Sequence, residues 1–262
     1  MPRILAIFKR DYLAYFRTPM GYIVFAIFMA VGGLYFSAGI LQSYQDLAGE
    51  ISFLQSFLFV IVPLLTMRSF SEDRKNGTEV LLYTSPASTT EIVLGKYLAT
   101  LALMLTLLAG SLIHVLITAL YGGVVDISVL GAYIGFISLA SAYLSMGVLA
   151  SSTTENQLIA AVITFVAILT LTVLDAVSVM LGQMVSSFLS QLNVFNWPDT
   201  QIDSIGQTVT EALKWLNPNA RISNYINGIF EITPLVYFAS IVIACLFLTS
   251  QMIEKRRWSR KG

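Results

Sequence analysis

The chain has very little charge, one cysteine and one histidine. Only 11% of its 262 residues are Asp, Glu, Lys or Arg, against roughly a quarter in an ordinary soluble domain. A lone Cys245 inside an apolar run excludes a disulfide framework and makes thiol redox chemistry improbable. A lone His114 leaves no His-Glu-x-x-His pair, and no Gly-x-x-x-x-Gly-Lys-Ser/Thr or Gly-x-Ser-x-Gly run is found, so neither metalloprotease, nucleotide hydrolysis nor serine hydrolase chemistry is encoded. Gly95-Lys96 is followed by Tyr97 and lacks the upstream glycine of a phosphate loop. No basic tract interleaved with aromatics points to nucleic acid.

What is abundant is apolar: 56% of the residues, with a mean hydropathy of +0.76. One core could not hide that much apolar surface; a bilayer can. About 20 apolar residues cross its hydrocarbon layer, and six such stretches are present: Tyr22–Leu41, Ile51–Met67, Tyr97–Tyr121, Ser128–Ser151, Leu158–Gly182 or a little beyond, and Leu235–Ile253. The second is short, and Pro63 predicts a kink in it. The first is too long for a signal-peptide core and is expected to stay in the chain.

The net charge of zero conceals a division. Thirteen of the fifteen Lys and Arg residues lie before the first span, between the second and third, or after the last. Because basic loops stay on the cytoplasmic side, both termini and Arg68–Lys96 are expected there, with Gln42–Glu50, Gly122–Ile127 and 183–233 outside. The expected location is a bacterial inner membrane, crossed several times, and the basic C-terminal run anchors on anionic lipid.

Ahead of the first span, apolar residues at Ile4, Leu5, Phe8, Tyr12, Leu13 and Phe16 recur at helical spacing, with Lys9, Arg10 and Arg17 on the other side. That pattern predicts an amphipathic helix in the membrane interface, broken at Thr18-Pro19. Outside, Ile202, Ile205, Val209, Leu213 and Leu216 form one stripe, and Ile222, Tyr225, Ile226, Ile229 and Phe230 a second that ends before Pro234. Two short helices against the outer mouth are expected.

The loop between spans two and three reads RSFSEDRKNGTEVLLYTSPASTTEIVLGK. Asn76-Gly77 makes a turn, Thr78 and Glu79 are placed to cap a short helix through Tyr83, and Ser85-Pro86 ends it. A second helix opens near Ser88 with Glu91 supporting the cap. An exposed Leu81-Leu82-Tyr83 patch outside the bilayer marks contact with another protein.

Single residues carry alternatives. Asp175, read as the only acidic residue inside a span, is either on a substrate or proton path or at the polar outer mouth. His114 serves interhelical hydrogen bonding or, with Met180 and Met184, a copper path. Gly131 and Gly135 form a GxxxG that serves close packing or a dimer seam. Small polar side chains at Ser56, Thr66, Thr164, Thr170 and Thr172 are candidate pathway residues, and they do not name a cargo.

The run from Glu72 to Lys96, with Gly77-Thr78, Leu81-Leu82, Thr84-Ser85-Pro86, Glu91 and Gly95-Lys96, resembles the signature of ABC-2 type transporter permeases. Asn217-Pro218, Arg221-Ile222, Gly228-Ile229, Tyr237-Phe238, Phe247-Leu248-Thr249 and Arg256-Arg257-Trp258 resemble its gliding-motility and nitrous-oxide-maturation branch, although Ile232-Thr233-Pro234 stands where that branch carries a polar or acidic residue. The resemblance implies an all-α membrane protein: residues 1–21 as a connecting helix, and 22–262 as one six-helix transmembrane domain with two short outer helices. It further implies an exporter half that pairs with a second permease and binds two ATPase subunits. Those subunits would hold ATP and Mg, and this chain would hold no cofactor. Glu72, Gly77, Thr78, Glu79, Leu81, Leu82, Tyr83 and Pro86 would form the coupling element of an alternating-access cycle. An ion-gradient-driven transporter would want more intramembrane charge, and a non-transporting assembly factor is the other alternative.

Overall fold

A computed structural model describes residues 2–42, 46–192, 198–215 and 217–259, and all secondary structure among them is helical. Twelve helices follow in order among these residues: α1 Pro2–Arg17, α2 Pro19–Leu41, α3 Leu47–Gln55, α4 Leu58–Thr66, α5 Ser71–Lys75, α6 Glu79–Thr84, α7 Thr89–Leu120, α8 Ile127–Thr153, α9 Gln157–Leu192, α10 Asp199–Lys214, α11 Ser223–Ile226 and α12 Ile232–Ser259. Five are long and apolar enough to cross a membrane, or six spans with the bent pair α3–α4 counted as one. The chain is a multi-pass membrane protein.

The helix ends follow local chemistry. Thr18 is extended (φ −109°, ψ 155°), as a residue before proline prefers, and Pro19 opens α2 where its missing N–H costs nothing. Ser88 and Glu91 form a reciprocal cap on α7: the Glu91 amide donates to Ser88 Oγ at 3.2 Å and the Ser88 amide to Glu91 Oε2 at 2.9 Å. Asp126 caps α8 by accepting from the Ile127 amide at 2.7 Å.

The second span is broken, and Pro63 is not the cause. Pro63 sits inside a continuous α4, and the bend of 56° falls at Ser56-Phe57. There the ladder tightens: the Ser56 amide is shared between Ser52 O and Phe53 O, and the Phe57 amide donates to Leu54 O at 3.0 Å. The sequence reading took Glu50 as part of an outside turn, whereas it lies in α3, 2% exposed.

α8 is the central helix, packed by α12, α9, α3, α4, α11 and α7. Lipid is as apolar as leucine, so close packing of small residues holds such a bundle together. A Cβ on Gly147 would run into Thr66 of α4, and one on Gly131 would collide with the backbone oxygen of Tyr225. Gly135 likewise faces Ile222. The GxxxG pair therefore seats α11 within the chain and is not free to form a dimer seam.

Of the two outer stripes, the first folds as α10, which packs along α9 where Gly182 meets Gly206 and Thr210. Leu216 lies outside the described residues. The second stripe forms only the single turn α11, closed by Gly228 at φ +75°. Pro234 does not follow a helix; it belongs to the first turn of α12, a position proline tolerates.

Candidate functional site

The basic end of the bundle carries a compact charged assembly made by three separate parts of the chain. α1 lies across α7, with Ile7 against Gly95, where a Cβ would come within 2.8 Å of the Ile7 side chain. Phe8, Tyr12 and Phe16 form an aromatic ladder along α1, with ring centroids 5.8 and 5.2 Å apart, and Tyr12 OH lies 2.9 Å from Thr106 Oγ1. Lys9 and Arg10 occupy the exposed side of α1. That packing brings Asp11 to Lys96, whose ammonium also bonds Asp73 of α5 at 2.5 Å and the Ser69 carbonyl. Arg10 completes the set, at 2.6 Å from Asp11 and 3.3 Å from Asp73.

Lys96 was read as a topology charge, but it is 2% exposed and neutralised by two carboxylates. Burial alone would push the Asp73 carboxyl up; Lys96, Arg10 and the Thr78 hydroxyl outweigh it and hold it below its ordinary 3.8. Burial likewise pulls the Arg10 guanidinium down, and Asp11 and Asp73 more than restore it. Beside this network, a cleft of about 430 Å³ opens between α1 and the loop, lined among others by Arg17, Arg68, Glu72, Asn76 and Leu81.

The loop itself is stapled to the end of α8. The amides of Phe70 and Ser71 donate to Ser151 Oγ at 3.0 and 3.2 Å. Arg74 donates to the carbonyls of Ser152 and Thr154, Arg256 of α12 donates to Thr153 O at 2.7 Å, and Arg74 pairs with Glu79 at 3.3 Å. Two arginines thus satisfy three successive carbonyls at a helix C-terminus, where the helix dipole favours cations. Glu72 pairs with Arg68 at 2.6 Å, and Gly77 takes φ +71°, which lets the chain reverse into α6.

This arrangement corrects the reading of α6. Thr78 stands at the helix start, but its side chain does not cap it; the hydroxyl donates back to Asp73 Oδ1 at 2.8 Å. Leu82 is not exposed. It is buried at 8% in the main core, with Glu79 at 7%, and the outward apolar surface consists of Val80 (48%) and Leu81 (72%). A helix anchored by Leu82 and Glu79 must turn the opposite side outward. The Tyr83 side chain lies outside what the structure describes. Pro86 follows the helix, and its carbonyl accepts from Arg3 Nη1 at 2.5 Å.

The pathway candidates do not converge. Thr66 and Thr164 are buried and bond their own helices, at Val62 O and Ala160 O, while Ser56 and Thr170 are exposed. Thr172 donates to Ile168 O. The side chain of Asp175 lies outside the described residues. It is not the only acidic residue of a span, because Glu50 of α3 lies 2.6 Å from His114 Nδ1. His114 therefore makes the interhelical hydrogen bond. Among the described residues no group of three or more His, Cys, Asp or Glu is placed to hold a metal. Asp11 and Glu50 are not singled out by the sequence, and Lys96 only as part of the family signature; the folded bundle alone brings their partners from 23 to 85 residues away.

Five long apolar helices and one bent pair, with a braced, partly apolar helix outside them, define a polytopic membrane protein. The chain belongs to the ABC-2 family: residues 5–251 match the profile described as "ABC-2 family transporter protein". A comparison with curated proteins gives no match.

Proposed function

We propose that this chain is the permease subunit of an ATP-driven exporter, with α6 as the element that receives the stroke of a separate ATPase. The observation that carries this reading is the mounting of α6: two exposed apolar side chains, Val80 and Leu81, on a helix whose other side is fixed to the spans through Leu82, Glu79 and Arg74. A contact surface that is to transmit force must be both sticky and rigidly connected. The Asp73–Lys96–Asp11 network extends the connection to α7 and α1. Force applied at α6 would reach α8 through Arg74, α7 through Lys96 and α12 through the shared α8 end. Two ATPases holding ATP and Mg, one per permease, would drive alternating access by contacting α6 differently in their two states. The basic end would face the cytoplasm of a bacterial inner membrane, following the basic residues.

A second permease copy is supported by α9. Ile159, Val162, Val166, Leu169, Val173, Val177, Met180, Met184 and Phe188 are exposed at steps of three and four along one face. With 36 residues the helix is about 54 Å long, well beyond a hydrocarbon layer of about 30 Å. A hydrocarbon layer of that thickness would cover only part of this stripe.

The test of coupling is recovery of the ATPase. The tagged wild-type chain, purified from its native membrane, should bring an ATPase subunit with it, and Leu81→Arg should lose that subunit while inserting normally. Normal recovery of the ATPase with Leu81→Arg would remove α6 from the mechanism.

A further inference from the structure

Glu50 and His114 are the buried titratable pair that the coupling reading does not use. Glu50 Oε1 and His114 Nδ1 are 2.6 Å apart, with residue exposures of 2% and 8%. Phe36 of α2 stacks on the imidazole at 4.5 Å and 9°, and a Cβ on Gly32 would lie 3.2 Å from the carboxylate, so α2 closes over both groups. The pair joins α7 to α3, the half-helix that the break at Ser56-Phe57 separates from the rest of its span.

Among the described residues, the surroundings offer no other compensating charge. α2 contributes Tyr35, α8 contributes Tyr133, whose hydroxyl lies 2.8 Å from Ser111, and α11 contributes Tyr225. α12 carries Tyr237 and Cys245 in its apolar length, and the charged residues of α1, the start of α7 and the end of α12 gather at the basic end. The nearest further charges on α3 and α8 are acidic caps, Asp46 and Asp126. No Lys or Arg is found in α2, α3, α8 or α11. With one dissociable proton between them, carboxyl and imidazole are together neutral, whichever atom holds it. Removing that proton would leave an uncompensated carboxylate in an apolar interior, which is costly.

We propose that Glu50 and His114 form an intramembrane proton-binding site, loaded while α3 is packed on α8 and α2 with Glu50 bonded to His114 of α7, and emptied when α3 swings away. A carboxyl and an imidazole open to water ionise in general at about 4.3 and about 6.5. Between those values the open pair also holds one proton, and opening is indifferent to pH. Above about 6.5 it holds none, so opening releases one proton and becomes about tenfold easier per pH unit. The proton leaves through the opened end of the bundle. In that release the imidazolium N–H bond breaks heterolytically, its electron pair stays on nitrogen and the proton passes to water. This inference rests on the fold and not on the ATPase reading.

His114 is the only histidine in the chain, so ¹⁵N-histidine labelling with a histidine-free tag gives one imidazole. In lipid nanodiscs, its solid-state NMR signal should keep one hydrogen-bonded state from pH 5.5 to 8.5. Hydrogen exchange of the α3 amides, corrected for intrinsic rate, should show opening that rises about tenfold per unit above pH 7. Glu50→Gln with His114→Gln should abolish that dependence. An ordinary titration of wild-type His114 near 6.5, or α3 opening independent of pH, overturns the proposal. The wild-type measurements decide it even where the double variant fails to insert. Neither needs an ATPase, so failure here leaves the coupling reading standing, and the converse holds.

Discussion

Leu81 and Leu82 are neighbours of the same type with opposite duties. Leu82→Ala empties a packed position in the core and is expected to cost about 2–5 kcal/mol, read as lower thermal stability of the purified chain. Leu81→Ala should leave stability within about 0.5 kcal/mol and act only on the proposed ATPase contact. A joint substitution would confuse the two, and only single variants separate folding from docking. Lys96→Met is the other informative change. It strands Asp11 and Asp73 beside a buried methionine, and the loss should fall at or below the low end of about 3–5 kcal/mol, since both carboxylates retain some water. The pH dependence has a definite sign. The Asp73 carboxyl lies below its ordinary 3.8 in the folded chain, so its contribution is complete above that value and is lost as pH falls through the lower, folded one. Loop proteolysis followed from pH 6 down to 3 should accelerate only at the acidic end.

At the scale of elements, the small-residue contacts have addresses. Gly131→Val drives a side chain into the Tyr225 backbone, which cannot turn aside as a side chain can, so α11 must lift from α8. The expected result is a less stable monomer, visible as earlier thermal aggregation in detergent, with no specific loss of pairing between chains. The positions of the long helices were legible in the sequence because twenty apolar residues between basic segments admit few readings. So was the Ser88 cap, since Ser-x-x-Glu before an apolar run is a local signal. The break at Ser56-Phe57 was not, because Pro63 gives the louder signal and the packing of α3 and α4 decides the outcome. Nor was the orientation of α6. Four apolar or aromatic residues in one turn and a half do not say which side a short helix buries until Arg74, Glu79 and the end of α8 fix it. The burial of Glu50 was hidden by a boundary: a polar residue at the margin of an apolar run reads as a turn, and its partner lies 64 residues away.

The whole molecule is divided by charge, and the division can be measured. With single reporter cysteines in a Cys245→Ser background, a reagent confined to the outer side should label Ser204→Cys and spare Asn76→Cys; both positions are exposed, so a negative result reflects sidedness and not burial. Labelling of Asn76→Cys in intact cells would invert the orientation argued from the basic residues. The α9 stripe makes a second demand on the whole assembly. Met184→Cys should form a disulfide with its counterpart under mild oxidation if two copies meet along this face, and a purely lipid-facing helix would give none.

The seam at the end of α8 also has a consequence for biosynthesis. Arg74 emerges from the ribosome early, whereas Arg256, which satisfies the carbonyl between the two that Arg74 holds, is made 182 residues later. Until α12 has been threaded into the bilayer, Thr153 keeps an orphaned acceptor and the loop rests on a half-built foundation. The seating of α6 is therefore finished only when the final span is in place. An assembly intermediate stalled short of that point would carry a poorly seated α6, and on the proposed coupling role the delay would favour recruitment of an ATPase by completed chains.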